Sequence, residues 1–365
     1  MADPLRVGII GANPTSGWAA RAHLPGFKAG IPGLKLAAVS TTKQESADQA
    51  AKEFGADAAF DDHLKMLAAD VIDIGAVVVK LPHHYALAKD IIEAGKHIYV
   101  EWPLGTDTAQ AEELTALAKS KGVRTAIGLQ GHHSADYKHM RKLIDEGFVG
   151  EVLAVSMTQY QTGAMSRASA RMWMKDVEAG GSNHTIAFAH AFDGLQAAVG
   201  PIASLSALVT AQVHEWTASD TGEKVSVTSP DNTLVTGTLA SGAVVSVHVA
   251  SVVRPTSGHR VEVHGINGTL VLEAPSSPHA GAPSKLYGSQ GSEAETAEIA
   301  YPLEKWQTDA GISGPSMNIS KVWKGFADAI SSGEDFENDF DAAIVHHKLM
   351  DTIVRASETG KTQTA

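Results

Sequence analysis

Over its first 130 residues the sequence keeps changing period, and that alternation restricts the fold more than any other feature. Short apolar runs of strand length are each followed by a stretch whose apolar residues stand three and four apart, the spacing of a helix. Leu5 to Gly11 reads as a strand, Trp18 to about Ala29 as a helix, Leu34 to Val39 as a strand and Gln44 to Phe54 as a helix. Ala58 to Phe60 and Asp62 to Ala69 repeat the pair. Val71 to Val79 is almost continuously apolar, as a strand covered on both faces must be, and a helix follows from Pro82 to Gly95. His97 to Glu101, Ala109 to Lys121, Arg124 to Leu129 and Ser134 to Glu146 complete the series. The pattern predicts an α/β domain over residues 1–130 built on a doubly wound parallel sheet.

Near Gly150 the character changes. Glu151 to Tyr160, Ile202 to His214, Asn232 to Leu239, Ala243 to Val253, Arg260 to Gly265 and Thr269 to Glu273 alternate polar and apolar residues, with turn signals at Ala240–Ala243 and Asn267–Gly268. Residues 131–365 are therefore expected to form an α+β domain with a large, mostly antiparallel sheet, wet on one face. That face carries apolar residues near Val244 and Val245 and is the expected surface of a homodimer or homotetramer. Residues 274–297, rich in Ser, Gly, Pro and Ala, read as a loop with one short strand around Lys285 to Tyr287. Helices at Ser316 to Ser331 and Phe340 to Ala356 end the chain, the last of them able to pack back on the first domain.

Composition removes several classes of function. The 365 residues are 44% hydrophobic and 19% charged, which suits a globular chain with a substantial core. The absence of cysteine excludes disulfides, thiolate catalysis and cysteine zinc sites. A formal charge of -12 argues against direct nucleic-acid or anionic-membrane binding, because phosphate contacts need clustered Lys and Arg. No apolar run approaches the roughly 18 residues that span a bilayer. The amino terminus enters a strand without a basic region or cleavage site, so a cytoplasmic protein is expected. The 17 histidines are scattered and no H-E-x-x-H occurs, which leaves no metal site to name.

The first strand ends at Gly11 and is followed by a polar loop, Ala12 to Gly17, and a helix. That order offers backbone N–H groups and a helix dipole to a phosphate, the Rossmann arrangement. Against the usual G-x-G-x-x-G, Asn13 stands at the second glycine and Gly17 comes one residue late. An unliganded strand-to-helix turn is the alternative. At the end of the second strand a free ribose 2′-OH calls for Asp or Glu, whereas the sequence has Ser40, Thr41, Thr42 and Lys43. Hydroxyls and a lysine suit a 2′-phosphate, so NADP is preferred over NAD, although the same residues suit a helix cap. Lys80, Leu81 and His84 follow the central strand, where ligands of such sheets collect.

Asp176 to Asp193 reads as a helix opening at a glycine turn, capped by Ser182 or Asn183. At 3.6 residues per turn Asn183, Ile186, His190 and Asp193 share a face, a plausible wall for a substrate pocket. The alternative is a core helix whose His190 is bonded to backbone.

Several segments together resemble the Gfo/Idh/MocA oxidoreductase family. They are Glu101-Trp-Pro103, the segment Trp173 to Gly181 leading to His190 and Asp193, and Phe340 to His347. Gly11-x-Asn13 through Gly17-Trp18, His23-x-Pro25, Val79-Lys-x-Pro82-x-His84-Tyr85 and Leu129-Gln130-Gly131 resemble the subgroup of the yeast galactose-regulon repressor and its homologues. The resemblance implies that Gly11, Asn13, Thr15, Ser16, Gly17 and Trp18 hold the pyrophosphate, with Ser40 to Lys43 near the adenine ribose. It places Lys80, Leu81 and His84 along the cofactor, and Glu101, Trp102 and Gln130 near the nicotinamide. Trp173, counted with the cofactor contacts, would join Asn183, His184 and His190 around a sugar-sized cavity.

The family's catalysts carry Glu-Lys-Pro and Asp-x-x-x-His; here Trp102 stands for the lysine and Ile186 for the aspartate. The resemblance therefore implies an NAD(P)-dependent oxidoreductase acting on a sugar, glycoside or polyol. His190 would be the acid/base, Asn183 and His184 would stand beside it, and Trp102 would be a ring platform. Tyr160 would replace the missing proton donor or else pack as an aromatic, and Lys175 is a weaker candidate. Two alternatives stay open: a redox glycosidase with recycled cofactor, and a noncatalytic dinucleotide sensor that regulates a partner protein.

Overall fold

The computed structural model describes residues 3–291 and 295–365. Residues 292–294, part of the loop expected over 274–297, and Met1 and Ala2 lie outside the described residues. Six strands, Leu5–Ile10 (β1), Leu34–Ser40 (β2), Ala58–Phe60 (β3), Ile74–Val77 (β4), His97–Glu101 (β5) and Thr125–Gly128 (β6), form one parallel sheet in the order β3-β2-β1-β4-β5-β6. The chain order reverses at β1 and β4, so the crevice beyond their carboxyl ends is where such a sheet takes a ligand. Ile74, Ala76, Val77, Ile98, Tyr99 and Val100 are fully buried, the cause of the continuous apolar reading. β4 is shorter than expected, because Val78 and Val79 leave the sheet to line that crevice beside Gly11.

This sheet belongs to a unit made of Met1–Gln130 and Glu304–His347. Residues Glu304–His347 thus join the first unit through a helix and an edge. In helix Ser316–Ser332 the residues Ile319, Val322, Trp323 and Phe326 are fully buried, each contributing roughly 1.5–3 kcal/mol. Trp323 stacks on Tyr99 of β5 at 4.5 Å between ring centres. Asn338 then closes the free edge of β6, its carbonyl accepting the Ile127 N–H at 2.8 Å and its amide donating to the Leu129 carbonyl at 2.9 Å. A buried edge without those bonds would leave backbone groups unpaired.

The other unit comprises Gly131–Leu303 and Lys348–Ala365. Its nine-stranded sheet runs Ala297–Ile299, Lys285–Gln290, Gly268–Ala274, His259–Gly265, Val152–Thr162, Val244–Val252, Asn232–Leu239, Ile202–Thr210 and Gln363–Thr364. All neighbours are antiparallel except Val152–Thr162 and Val244–Val252, which pair in parallel from Ala154 opposite Val244 to Thr162 opposite Val252. Val155, Met157 and Gln159 face the core; Ser156, Thr158 and Tyr160 therefore face the other way. On that second face Leu208, Leu234 and Val244 keep 54%, 38% and 61% of their surface exposed. A small sheet of Ser166–Arg167, Glu215–Ala218 and Lys224–Ser226 was not legible from period, its strands being too short.

The segment from Asp176 does not form one regular helix. Short 3₁₀ turns at Ser169–Lys175 and Val177–Ala179 precede a wide π turn, Asn183–Phe188, and an α-helix, Ala189–Val199. Ser182 caps it: its hydroxyl accepts the Thr185 N–H at 3.0 Å and its own N–H donates to the Thr185 hydroxyl at 2.8 Å. A π turn breaks the 3.6-residue phase, so Ile186 packs beside Trp173 while Asn183 reaches the sheet.

Candidate dinucleotide and ligand sites

In the first unit the loop after β1 is shaped by Gly11. Its φ is +89°, and a Cβ there would stand 2.2 Å from the Val78 carbonyl oxygen, so only glycine fits. The Asn13 side-chain oxygen accepts the N–H groups of Thr15 and Ser16 at 3.0 and 3.1 Å and the Thr15 hydroxyl at 3.1 Å. Asparagine in the place of a glycine thus stitches the loop to itself, and those two amides are spent. Thr15, Ser16 and Gly17 are exposed at the tip, and the Trp18 indole N–H is buried with no acceptor among the described residues. An orphan donor beside an exposed serine and a helix start fits an anionic group such as a pyrophosphate.

The end of β2 divides its four candidates. Ser40 is 2% exposed, and its carbonyl accepts the Gly11 N–H at 2.9 Å, a structural task rather than a ligand contact. The Thr41 hydroxyl donates to the Lys43 carbonyl at 2.8 Å and lies 2.7 Å from the Ser46 hydroxyl, ordering the turn into the next helix. Thr42 and Lys43 are exposed.

Beyond β4 and β5 three expectations change. His84 is 2% exposed, with Nδ1 2.8 Å from the Pro103 carbonyl and Nε2 3.1 Å from the Val79 carbonyl. Burial lowers its basicity, so the ring is neutral and donates along the shorter contact. It donates to the Pro103 carbonyl and is buried between two strand ends, away from a cofactor. Leu81 is buried too, and only Lys80 of that trio is exposed. Trp102 is 4% exposed, its ring packed on His346 and His347 at 4.7 and 4.6 Å, so it is not an open platform.

Glu101 sits in a cluster that period and spacing did not reveal. The Trp323 indole N–H donates to His23 Nδ1 at 3.0 Å, which leaves the His23 proton on Nε2. That Nε2–H donates to Glu101 Oε1 at 2.8 Å, and the Tyr99 hydroxyl donates to the same oxygen at 2.8 Å. Burial and the neighbouring carboxylate push the Tyr99 phenol well above its usual range, so it stays a donor. One carboxylate oxygen is thereby saturated, and Oε2 is left for a ligand. Gln130, 1% exposed, likewise holds an amide oxygen with no partner among the described residues. A strand period of two places Tyr99 beside Glu101, but nothing in the sequence points from Glu101 to His23 or Trp323.

In the second unit the helix residues are brought together unevenly. The Asn183 amide donates to the Ser251 hydroxyl at 3.0 Å, and its oxygen is buried without a partner. His184 is 3% exposed, lies 3.2 Å from the Thr233 hydroxyl and stacks on Phe188, which makes it a core residue. His190 is 5% exposed and stacks on His279 at 4.6 Å with 14° between planes. Burial pulls His279 down to about 4, and burial together with His279 pulls His259 down to about 3, so both rings are neutral near pH 7. The Gln159 oxygen faces His259 Nδ1 at 3.0 Å, and the Tyr137 hydroxyl faces its Nε2 at 2.8 Å.

Tyr160 does not join this group. Its hydroxyl meets His248 Nδ1 at 3.0 Å on the opposite face of the sheet from Asn183 and Gln159, so it cannot supply their proton. Trp173 sets the edge of its ring against Gly181, where a Cβ would come within 2.5 Å of it, and Lys175 pairs with Asp176 at 2.9 Å. Among the described residues no group of three or more His, Asp or Glu is placed to hold a metal, and no helix is long and apolar enough to cross a membrane.

Sheet order and glycine turn define a Rossmann-type dinucleotide-binding fold. Residues 5–129 match the oxidoreductase family with an NAD-binding Rossmann fold, and residues 137–274 match the Gal80p C-terminal domain. The chain thus joins a Gfo/Idh/MocA-type NAD-binding segment to a Gal80p-like second segment. It is 26% identical to the galactose/lactose metabolism regulatory protein GAL80 of Saccharomyces cerevisiae over 74% of this chain and 67% of that protein. A crystal structure of a super-repressor mutant of the same yeast protein aligns with a TM-score of 0.86 at 22% identity, over 100% of this chain and 98% of that one. Dehydrogenase aclE of Aspergillus oryzae is 27% identical over 99% of this chain and 98% of its own length. Levoglucosan dehydrogenase, solved with NADH and L-sorbose, aligns with a TM-score of 0.83 at 20% identity over 99% of this chain and 98% of that one.

Proposed function

We propose that the chain is an NAD(P)-dependent oxidoreductase that oxidises or reduces a hydroxylated, sugar-like or polyol substrate. The observation that carries the reading is His190, a buried imidazole at the family's histidine position, stacked on His279, itself held neutral. When bound, the dinucleotide supplies the hydride acceptor. Ser16, Gly17 and Trp18 hold its pyrophosphate. Thr42 and Lys43 meet the adenine ribose, where the lack of a carboxylate favours NADP over NAD. Glu101 Oε2 and the Gln130 amide oxygen accept from ribose hydroxyls or the carboxamide. Asn183 orients a substrate hydroxyl through its unpaired oxygen, and His190 takes that hydroxyl's proton. The yeast relative is named as a regulator, the Aspergillus relative as a dehydrogenase and one structural neighbour as a sugar dehydrogenase, which supports a dinucleotide protein with a carbohydrate-like ligand.

Screening sugars, glycosides and polyols for NAD(P) reduction tests this reading, together with aglycone release under catalytic NAD(P), which reports a redox glycosidase. His190→Ala should lower any turnover by about 100-fold or more. An undiminished rate removes His190 as the base.

One observation favours a second reading. The position of the family's lysine is filled by Trp102, an indole 4% exposed that can neither take nor relay a proton. A chain that binds the dinucleotide tightly, yet turns over no hydroxylated compound, is a dinucleotide sensor acting on a partner protein. In either case we propose a homodimer through the open face around Leu208, Leu234 and Val244, which gel filtration at the monomer mass would refute.

A further inference from the structure

The chain is rich in acids, and its cations are mostly paired: Arg6 with Asp73 at 2.7 Å, Lys35 with Asp57 at 2.6 Å, Arg260 with Glu262 at 2.6 Å. Arg167 is different. It ends the short strand Ser166–Arg167, opposite Ala218, and its guanidinium carbon lies 3.9 Å from the centre of the Trp216 ring, itself 1% exposed. Its Nε reaches the Gly163 carbonyl at 3.3 Å and Nη1 reaches only the Met174 sulfur at 3.9 Å. Among the described residues one of its five N–H donors has an oxygen acceptor and no carboxylate stands within ion-pair distance.

The surroundings supply opposite charge only through space. Arg171 adds positive potential to the same spot. Asp231 acts on Arg167 through space, but its oxygens are committed to the Gln212 and Val213 N–H groups at 2.9 and 2.8 Å and to the Asn232 amide at 2.8 Å. Burial, with Arg171, brings the guanidinium down to about 10. A half-buried cation with no carboxylate in contact is costly, and stacking on an aromatic face recovers part of that cost. The contact with Trp216 holds the guanidinium in place while most of its N–H donors have no oxygen acceptor among the described residues, and a fork of that kind can receive the two oxygens of a carboxylate or phosphate.

We propose that Arg167, held by Trp216 and assisted by Arg171, is an anion-binding site, and that the ligand of the second unit carries a carboxylate or phosphate. Met174 touches Arg167, and the adjacent Trp173 lies against Gly181 just before the Ser182 cap and Asn183. The ligand class is therefore a hydroxylated molecule with one anionic end, a sugar acid or a sugar phosphate. Only this naming of the ligand's hydroxylated part rests on the function proposed above.

The test is calorimetric titration of the full chain, without dinucleotide, with glucuronate, glucose 6-phosphate, glucose and inorganic phosphate. Binding of glucuronate alone identifies a carboxylate ligand and binding of glucose 6-phosphate alone a phosphate ligand; in both cases glucose binds at least tenfold more weakly. Arg167→Met should weaken the anion at least tenfold, and Arg167→Lys, which keeps the charge but not the fork, should weaken it less. Circular dichroism shows whether Arg167→Met is folded; if it is not, Arg167→Lys and competition by inorganic phosphate on the unaltered chain decide. Equal binding of glucose and the anions, no binding of any anion, or anion binding unchanged in the folded variants overturns the site. Anion binding without any turnover would instead count against the oxidoreductase reading and leave the site standing.

Discussion

The indole N–H of Trp323 donates to His23 Nδ1 at 3.0 Å across 300 residues of sequence, and this bond sets the protonation of the cluster that presents Glu101. Trp323→Phe removes the donor and leaves a buried acceptor unpaired, at a cost of about 1–3 kcal/mol. His23→Gln should be milder than His23→Leu, because an amide can accept from Trp323 and donate to Glu101. Urea denaturation gives the stabilities, and nitrogen NMR of labelled histidine gives the tautomer. A His23 proton found on Nδ1 in the unaltered chain would refute the arrangement.

Two glycines in one loop should fail differently. At Gly11 a Cβ meets the Val78 backbone at 2.2 Å, whereas at Gly17, also at φ +89°, nothing lies within 4 Å. Gly17→Ala should therefore cost only the strain of a left-handed residue, about 1–2 kcal/mol. Gly11→Ala should cost more and abolish dinucleotide binding. Thermal unfolding and NAD(P)H fluorescence check both, and equal effects would contradict the steric account.

Acid should loosen the second unit through its histidines. His279 and His259 are held at about 4 and about 3, below the 6.5 of an unfolded histidine. Between those values the unfolded chain binds more protons than the folded one, so stability is full above pH 6.5 and is lost as pH falls towards 4. For His279 the loss is on the order of 3 kcal/mol. The urea midpoint measured from pH 7 to 4.5 should fall, and less steeply in His279→Phe; an unchanged slope would show that the ring does not titrate as described.

Cofactor choice should respond to Lys43. With Ser40 and Thr41 committed to the fold, the exposed Lys43 ammonium is the cation left for a 2′-phosphate. Lys43→Glu should weaken NADPH by about tenfold, or 1.4 kcal/mol, and change NADH little. Equal weakening of both cofactors would place Lys43 elsewhere.

Most of the fold is legible in the sequence because period is a local property. β-branched runs bounded by glycine mark the parallel strands, and alternation marks the antiparallel ones, as at Asn232–Leu239. The dinucleotide loop is legible for a related reason, since Gly11 and Gly17 record backbone demands. What stays hidden depends on partners distant in sequence. Nothing near Glu101 announces Trp323, nothing near Ile127 announces Asn338, and the face of Tyr160 follows only once Gln159 is known to point inward. The π turn at Asn183–Phe188 is invisible to a helical period, so the expected shared face of Asn183, Ile186 and His190 was a consequence of assuming ideal geometry.

The recruitment of Glu304–His347 into the amino-terminal unit also has a bearing on biosynthesis. As the ribosome releases residue 130, the surfaces that later receive Trp323 and Asn338 are still bare, and their partners emerge only after the whole intervening unit has been made. At ordinary elongation rates that interval is roughly ten to forty seconds. For that time the nascent chain carries an unfinished apolar sheet, so the first unit can complete its core only after residue 338 has been made.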